Sequence, residues 1–274
     1  MISGRESKIK EIEANKRAWA QLSREHYETF KKAYEAGEYA LNAYIQEEVG
    51  DLKGKKLLHL QCNTGADSIA LSRMGAQVLG VDLVPENIFY ARKLAKELDA
   101  SNVQFLESDI MELSEKLHET YDVVFTSEGV LGWLPDLGVW ARTIRKLLRE
   151  TGYLYVFDSH PFFLSFDEAK LSREEYEIRY PYFGREPDED DCIGGYASEV
   201  KQGEKSYFWM HPVSEILNSL IGAGLHIEFF HEFPENFYDS GGMELLKEKR
   251  LYAYPYNREK YPISFSLKAS VYRP

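Results

Sequence analysis

The stretch Lys56–Asp82, KLLHLQCNTGADSIALSRMGAQVLGVD, decides the fold. Leu57, Leu58 and Leu60 form a short apolar run suited to a strand buried on both faces of a parallel sheet. The polar turn Gln61–Gly65 follows. Thr64, with Asp67 three residues on, reads as a helix start of the capping-box kind ahead of Ile69, Ala70, Leu71 and Met74. Gly75 ends that helix, and Gln77–Val81 is a second strand ending on Asp82. Strand, turn, helix, strand and acidic tip make one right-handed βαβ unit. In such a unit a nucleoside-bearing ligand lies across the strand ends, and the acid at the second tip holds ribose hydroxyls.

A dinucleotide would want G-x-G-x-x-G in that turn. The matching positions are Gln61, Asn63 and Ala66, so the fingerprint is missing, while Gly65 lets the turn pass close to a ligand. The stretch resembles motif I of class I S-adenosylmethionine-dependent methyltransferases, D-x-G-x-G-x-G. On that pattern the positions are His59, Gln61, Asn63 and Gly65, and three of the four depart from it. It is also similar to the L-x-C-x-x-G-x-D turn of a subset of small bacterial-type methyltransferases, read here at Leu60, Cys62, Gly65 and Asp67.

The rest of the chain keeps the rhythm. Pro85 opens a helix that runs through Leu98, with Ile88, Ala91, Leu94 and Ala95 inward. Val103–Leu106 and Tyr121–Phe125 read as strands three and four, with Glu107-Ser108-Asp109-Ile110 between them. A helix from Pro135 to Leu148 leads to a fifth strand, Tyr153–Phe157, inside LLRETGYLYVFDSHP, which resembles the family's signature at that strand. Pro212–Ala223 reads as an amphipathic helix. Leu225–Phe233 and Ile263–Val271 read as a closing pair of strands, the last antiparallel. The expected class is α/β: a doubly wound, mostly parallel, seven-stranded Rossmann-like sheet.

Residues 1–50 form a helical cap on this reading. Residues 5–48 are helical with one break at Gly37, and residues 51–274 form the main domain. Trp19, Leu22, His26, Tyr27, Phe30 and Tyr34 recur at helical spacing, which suits packing on the core or closure over a ligand. Residues 160–210 break the α/β rhythm with Phe, Tyr and Trp interleaved among acids. This insert lies at the carboxyl edge of the sheet, where loops carry specificity. It reads as a lid lining a hydrophobic cavity, or equally as a second small core or a homodimer interface. Ser198–Lys201 and Ser206–Trp209 pair as a hairpin across Gln202–Lys205, and the acidic run Asp188–Asp191 is a solvated loop.

The chain has 274 residues, 44% of them apolar and 14% aromatic, and a net charge of −12. So acidic a surface repels a phosphate backbone, which argues against nucleic acid. No apolar run reaches membrane-spanning length, and the polar start MISGRESKIK lacks a signal-peptide core. Cys62 and Cys192 form neither a metal cluster nor a disulfide framework, which fits a reducing cytoplasm.

The resemblance implies S-adenosyl-L-methionine as cofactor and a small-molecule methyl acceptor. It implies cofactor contacts from His59, Gln61, Asn63, Gly65, Asp82, Leu83 and Ser127. Asp109 and Ile110 fall at the adenine-binding positions, and Trp19 or Tyr27 face the methionine part. Thr126-Ser127-Glu128-Gly129 stands where methyltransferases of nucleobase amines carry D/N-P-P-Y, which argues against those acceptors. His160 and Glu128 are the expected catalytic groups, placed to take an acceptor proton near the strand tips. A domain of the same fold that binds cofactor or partner without transferring methyl is the alternative. No H-E-x-x-H or G-x-S-x-G pattern occurs, so neither a metal site nor an acyl hydrolase is expected.

Overall fold

The computed structural model describes residues 8–257 and 259–271. Three helices lead, α1 (Ile9–Ala20), α2 (Ser23–Glu35) and α3 (Ala43–Glu48). The single expected break at Gly37 is therefore joined by a second at Gln21–Leu22, which buries Leu22 against Ile193 of the insert.

The alternation then runs in the order the sequence reads, with the fourth and fifth strands longer than the expected Tyr121–Phe125 and Tyr153–Phe157: β1 (Lys56–Leu60), α4 (Ala66–Arg73), β2 (Gln77–Asp82), α5 (Pro85–Glu97), β3 (Val103–Glu107), α6 (Leu113–Lys116), β4 (Tyr121–Ser127), α7 (Leu137–Leu147) and β5 (Leu148–Ser159). The insert contributes α8 (Pro161–Leu164), α9 (Glu168–Leu171), β6 (Asp188–Gly195) and β7 (Ser198–Phe208). The chain closes with α10 (Val213–Gly222), β8 (Leu225–Phe233), the short β9 (Glu244–Leu246) and β10 (Leu251–Ala253), and β11 (Ser264–Val271).

The main sheet has seven strands in the order β3-β2-β1-β4-β5-β11-β8. β1 to β5 pair parallel, and β11 runs antiparallel between β5 and β8. Order reverses between β1 and β4, so a crevice opens at their carboxyl ends. Side-chain alternation sorts each strand onto two faces. Leu57, Val123 and Phe125 join Ile45, Ile69, Ile88 and Leu94 on one. Leu58, Val124 and Leu154 join Trp140, Ile144 and Leu220 on the other.

Two local expectations change. Thr64 does not cap α4. Its N-cap is Gly65 at φ +81°, and Asp67 turns away from the helix start. A Cβ on Gly65 would lie 2.6 Å from the Phe105 ring, so glycine is required there by packing as well as by φ. The lid hairpin is also different. β7 is continuous through Gln202–Lys205 and pairs with β6, so Asp188–Asp191 is strand and the turn falls at Tyr196–Ala197.

The aromatic insert divides its work. Phe163, Phe166 and Leu171 join Met243, Tyr254 and Ile263 in a small second core. The β6–β7 ribbon instead docks on α1. Asn15 Nδ2 donates to the Tyr207 carbonyl at 2.8 Å, and the Tyr207 N–H donates back to Asn15 Oδ1 at 2.7 Å. No described helix is long and apolar enough to cross a membrane.

Candidate active site

Above the reversal point lies a cleft. Its floor is the β1–α4 turn, the tips of β2 and β4, and the loop after β3. Its roof is α1 with Trp19 and the ribbon turn with Tyr196. Gln61 (φ +54°), Asn63 (+50°) and Glu128 (+63°) all hold left-handed backbone here. Such strain costs about 1–3 kcal/mol per residue and persists where function requires it.

The strained turn is held by Asp82. Asp82 Oδ2 accepts the Asn63 N–H at 2.9 Å, and Oδ1 accepts the Val84 N–H at 2.9 Å and Asn87 Nδ2 at 3.1 Å. The Ser23 hydroxyl donates to Asn87 Oδ1 at 2.6 Å, which ties α2 to the same point. His26 extends the tie. Asn63 Nδ2 lies 3.1 Å from its Nδ1, and its Nε2 lies 3.2 Å from the Ser198 hydroxyl. Burial holds the His26 pKa down to about 4, so it works as a neutral bridge between turn and lid.

At the β4 end sits a pair of buried carboxyls. Asp67 accepts the Tyr39 hydroxyl at 2.6 Å and the Ser127 hydroxyl at 2.9 Å. Glu128 accepts Asn42 Nδ2 at 3.1 Å. Burial raises both pKa values, and the negative charge of Asp67 raises that of Glu128 further. Asp158 holds the backbone beside them, accepting the N–H groups of Gly129, Val130, Leu131 and its own neighbour Ser159. His59 is 2% exposed, bonded through Nδ1 to the Ser68 hydroxyl at 2.8 Å, and burial lowers its pKa to about 3. It is therefore neutral. The lining carries the carboxyls of Asp67, Asp82, Asp109 and Glu128 against one lysine, Lys16.

A second chamber opens beside the cleft. Trp19, Glu128, Gly129, Trp133 and Tyr196 line both.

Residues 51–201 match the family described as Methyltransferase domain, more than half of the chain. The chain belongs to that family. Among relatives, the ubiquinone biosynthesis O-methyltransferase of Aliivibrio fischeri (strain ATCC 700601 / ES114) is 30% identical over 149 residues, covering 54% of this chain and 61% of the relative. Its counterpart from Acinetobacter baylyi is 26% identical over 131 residues, covering 48% and 54%. The chain thus spans between half and two thirds of the length of these relatives. Among solved structures, an S-adenosylmethionine-dependent methyltransferase from Mesorhizobium loti superposes with a TM-score of 0.54 at 18% identity, covering 82% of this chain and 95% of that one. The DhpI–SAH complex gives 0.57 at 16%, covering 96% and 97%. At these identities the structures establish a shared fold.

Of the expected site residues, Trp19, His59, Gln61, Asn63, Asp82, Leu83, Asp109, Ile110, Ser127 and Glu128 line the cleft of this methyltransferase. Three expected residues do not. Gly65 packs under the turn. Tyr27 stacks on Tyr90 at 5.1 Å and donates to Glu97 at 2.5 Å on the far side of α2. His160 lines neither cavity. It is the N-cap of α8, its Nδ1 accepting the Phe162 N–H at 3.1 Å, and its ring packs against Phe230 and Phe265. Burial lowers its pKa to about 4. Glu232 Oε1 lies 3.0 Å from Nε2 without an aligned hydrogen bond. Pro161, the residue after His160, starts a helix turn. We expect His160→Asn, which can still cap, to leave kcat within about twofold of the parent. A loss of about a hundredfold in a steady-state assay would restore a catalytic part for the imidazole.

Asp67, Tyr39, Trp133 and Tyr196 are among the lining residues that the sequence does not mark as site residues. The signal for Asp67 was present in the G-x-D spacing but is equally that of a capping box. For Tyr39, Trp133 and Tyr196 no local pattern exists.

Proposed function

We propose that this domain transfers the methyl group of S-adenosylmethionine to a small molecule held in the second chamber. The observation that carries this is the cleft's acidic lining: four carboxyls and one lysine at the sheet's reversal point. Such a lining favours a cationic cofactor and opposes the pyrophosphate of a dinucleotide.

The fit can be followed residue by residue. Asp82 is placed for ribose hydroxyls, and Asp109 with Ile110 for adenine. The Asp67–Glu128 end is placed for the positively charged amino-acid part. When bound, the sulfonium supplies an activated methyl that needs no metal. The chain's share is to align, to exclude water and to receive a proton. Trp19, Trp133 and Tyr196 close the passage between the chambers with aromatic faces, which also favour positive charge. Glu128 stands at that passage, and burial with the nearby Asp67 makes its carboxylate a stronger base than an ordinary one. Two free thiols, with the Cys62 pKa pushed up by burial, fit the cytoplasmic setting.

Calorimetry tests the cofactor. S-adenosylmethionine and S-adenosylhomocysteine are expected to bind with micromolar Kd, and NAD and NADP to give no heat. Heat with NAD but with neither sulfur nucleoside would overturn the reading.

A further inference from the structure

The second chamber narrows the class of acceptor. Its walls are aromatic, with Trp133, Tyr196, Phe208 and Phe237 among them. Its charged groups are the carboxyls of Glu128, Asp158, Glu168 and Asp239, and no lysine or arginine is among the described residues that line it. Two of the four carboxylates are already spoken for. Asp158 holds four backbone N–H groups, and Asp239 accepts those of Gly241 and Met243. Glu128 and Glu168 are left with capacity. Glu168 accepts only the Tyr238 hydroxyl, at 2.8 Å, and burial raises its pKa.

The remaining ionisable base, His211, is 7% exposed. Its Nε2 donates to the Leu134 carbonyl at 2.8 Å, and Glu215 Oε2 lies 3.3 Å from Nδ1, so any proton there meets its own counter-charge. Among the described residues, His211 Nδ1 has no aligned hydrogen bond and the Trp209 Nε1–H, on a side chain 4% exposed, has no acceptor. Both residues line the same wall, so the chamber keeps unused polar capacity for a ligand.

A carboxylate or phosphate here would sit among four acids, with no lysine or arginine among the described lining residues to offset it. A cation is favoured twice, by the carboxylates and by the ring faces. We infer that the chamber takes a primary or secondary amine on an apolar, aromatic-sized body, and that the domain is an N-methyltransferase toward it. This rests on the methyltransferase reading above. The bound ammonium first gives one proton to the Glu128 carboxylate. The freed nitrogen lone pair then forms the N–CH₃ bond while the S–CH₃ bond breaks, its electron pair staying on sulfur as a neutral thioether. The positive charge ends on the methylated nitrogen, between Glu128 and Glu168.

The test is calorimetry on the full chain saturated with S-adenosylhomocysteine, using two matched probe series. One is 2-phenylethylamine, 2-phenylethanol and 3-phenylpropanoate. The other is tryptamine, tryptophol and indole-3-propionate. In at least one series the amine should bind about tenfold or more tighter than its alcohol, and the acids should give no heat. Glu168→Gln keeps an acceptor for Tyr238. It should cut the amine's advantage to about threefold or less while leaving S-adenosylhomocysteine affinity unchanged. An alcohol or acid that binds as well as its amine, no binding by either amine, or an unchanged advantage in Glu168→Gln would each overturn the inference. A failure of S-adenosylhomocysteine to bind counts against the methyltransferase reading instead. The probe series is then run on the free protein, where the same preference decides.

Discussion

Asp82→Ala raises the Kd for S-adenosylhomocysteine by about a hundredfold or more and also lowers the melting temperature. The sequence alone suggests a loss of at least about tenfold in affinity with little loss of fold. The structure changes that expectation, because the carboxylate already accepts from Asn63, Val84 and Asn87. Asp82 is 7% exposed, so the alanine variant strands these donors in a buried place. Each stranded donor costs about 1–3 kcal/mol. At about 2–4 °C per kcal/mol for a domain of this size, the loss of several such bonds is easily read by scanning calorimetry. The affinity loss has two sources. Ribose hydroxyls lose a charged acceptor, and the left-handed turn at Asn63 loses the bond that holds it. Asp82→Asn separates them: it keeps one carbonyl oxygen for the backbone, so it should regain most of the lost stability and little of the affinity. If Asp82→Ala binds as the parent does, the acid is a turn-holder alone and the nucleoside lies elsewhere.

Much of this site was legible because it sits at strand ends. An apolar run of four or five residues followed by a polar turn marks where a parallel strand stops: the tips of β1 and β2 fell where the pattern put them, and β4 runs two residues beyond the expected Phe125 to Ser127. Asp82, Asp109 and Ser127 followed from that. The lid was not legible. Gln202–Lys205 contains a glycine at φ +105° and looks like a turn, yet it lies inside β7. The register of that polar ribbon is set from outside, by Asn15 on α1 bracketing the Tyr207 backbone and by Ile193 packing under Leu22. A ribbon without its own apolar alternation has no local signal for register. Asp67 and His160 failed for a related reason. Both stand at helix starts, where one sequence pattern serves a cap or a site, and only neighbours distant in sequence decide. For Asp67 these are Tyr39 and Ser127, which draw it into the cleft. For His160 they are Phe230 and Phe265, which keep it out.

Glu128→Gln stabilises the ligand-free protein at pH 8 and lowers turnover by about a hundredfold or more with any acceptor that must lose a proton. Burial and the nearby Asp67 charge raise the folded-state pKa of Glu128, so the folded chain holds a proton that the unfolded chain releases at lower pH. Stability from this group is therefore fully present below the ordinary glutamate range and is lost as pH rises through the folded value. Glutamine imitates the protonated form and can still accept from Asn42 Nδ2. Its advantage in melting temperature should be absent at pH 4 and present at pH 8. A left-handed backbone at this residue, φ +63°, adds strain that neither side chain relieves, so the difference reports charge. Equal melting temperatures at pH 8, or a lower one for the variant, would show that Glu128 is already compensated and not poised. Turnover separates the roles further. A variant that melts higher at pH 8 yet still turns over at the parent rate would leave Glu128 as a charge at the passage, and the acceptor's proton would then leave through water. Melting that rises while turnover falls is the pattern of a group kept in an unfavourable place for the sake of its chemistry.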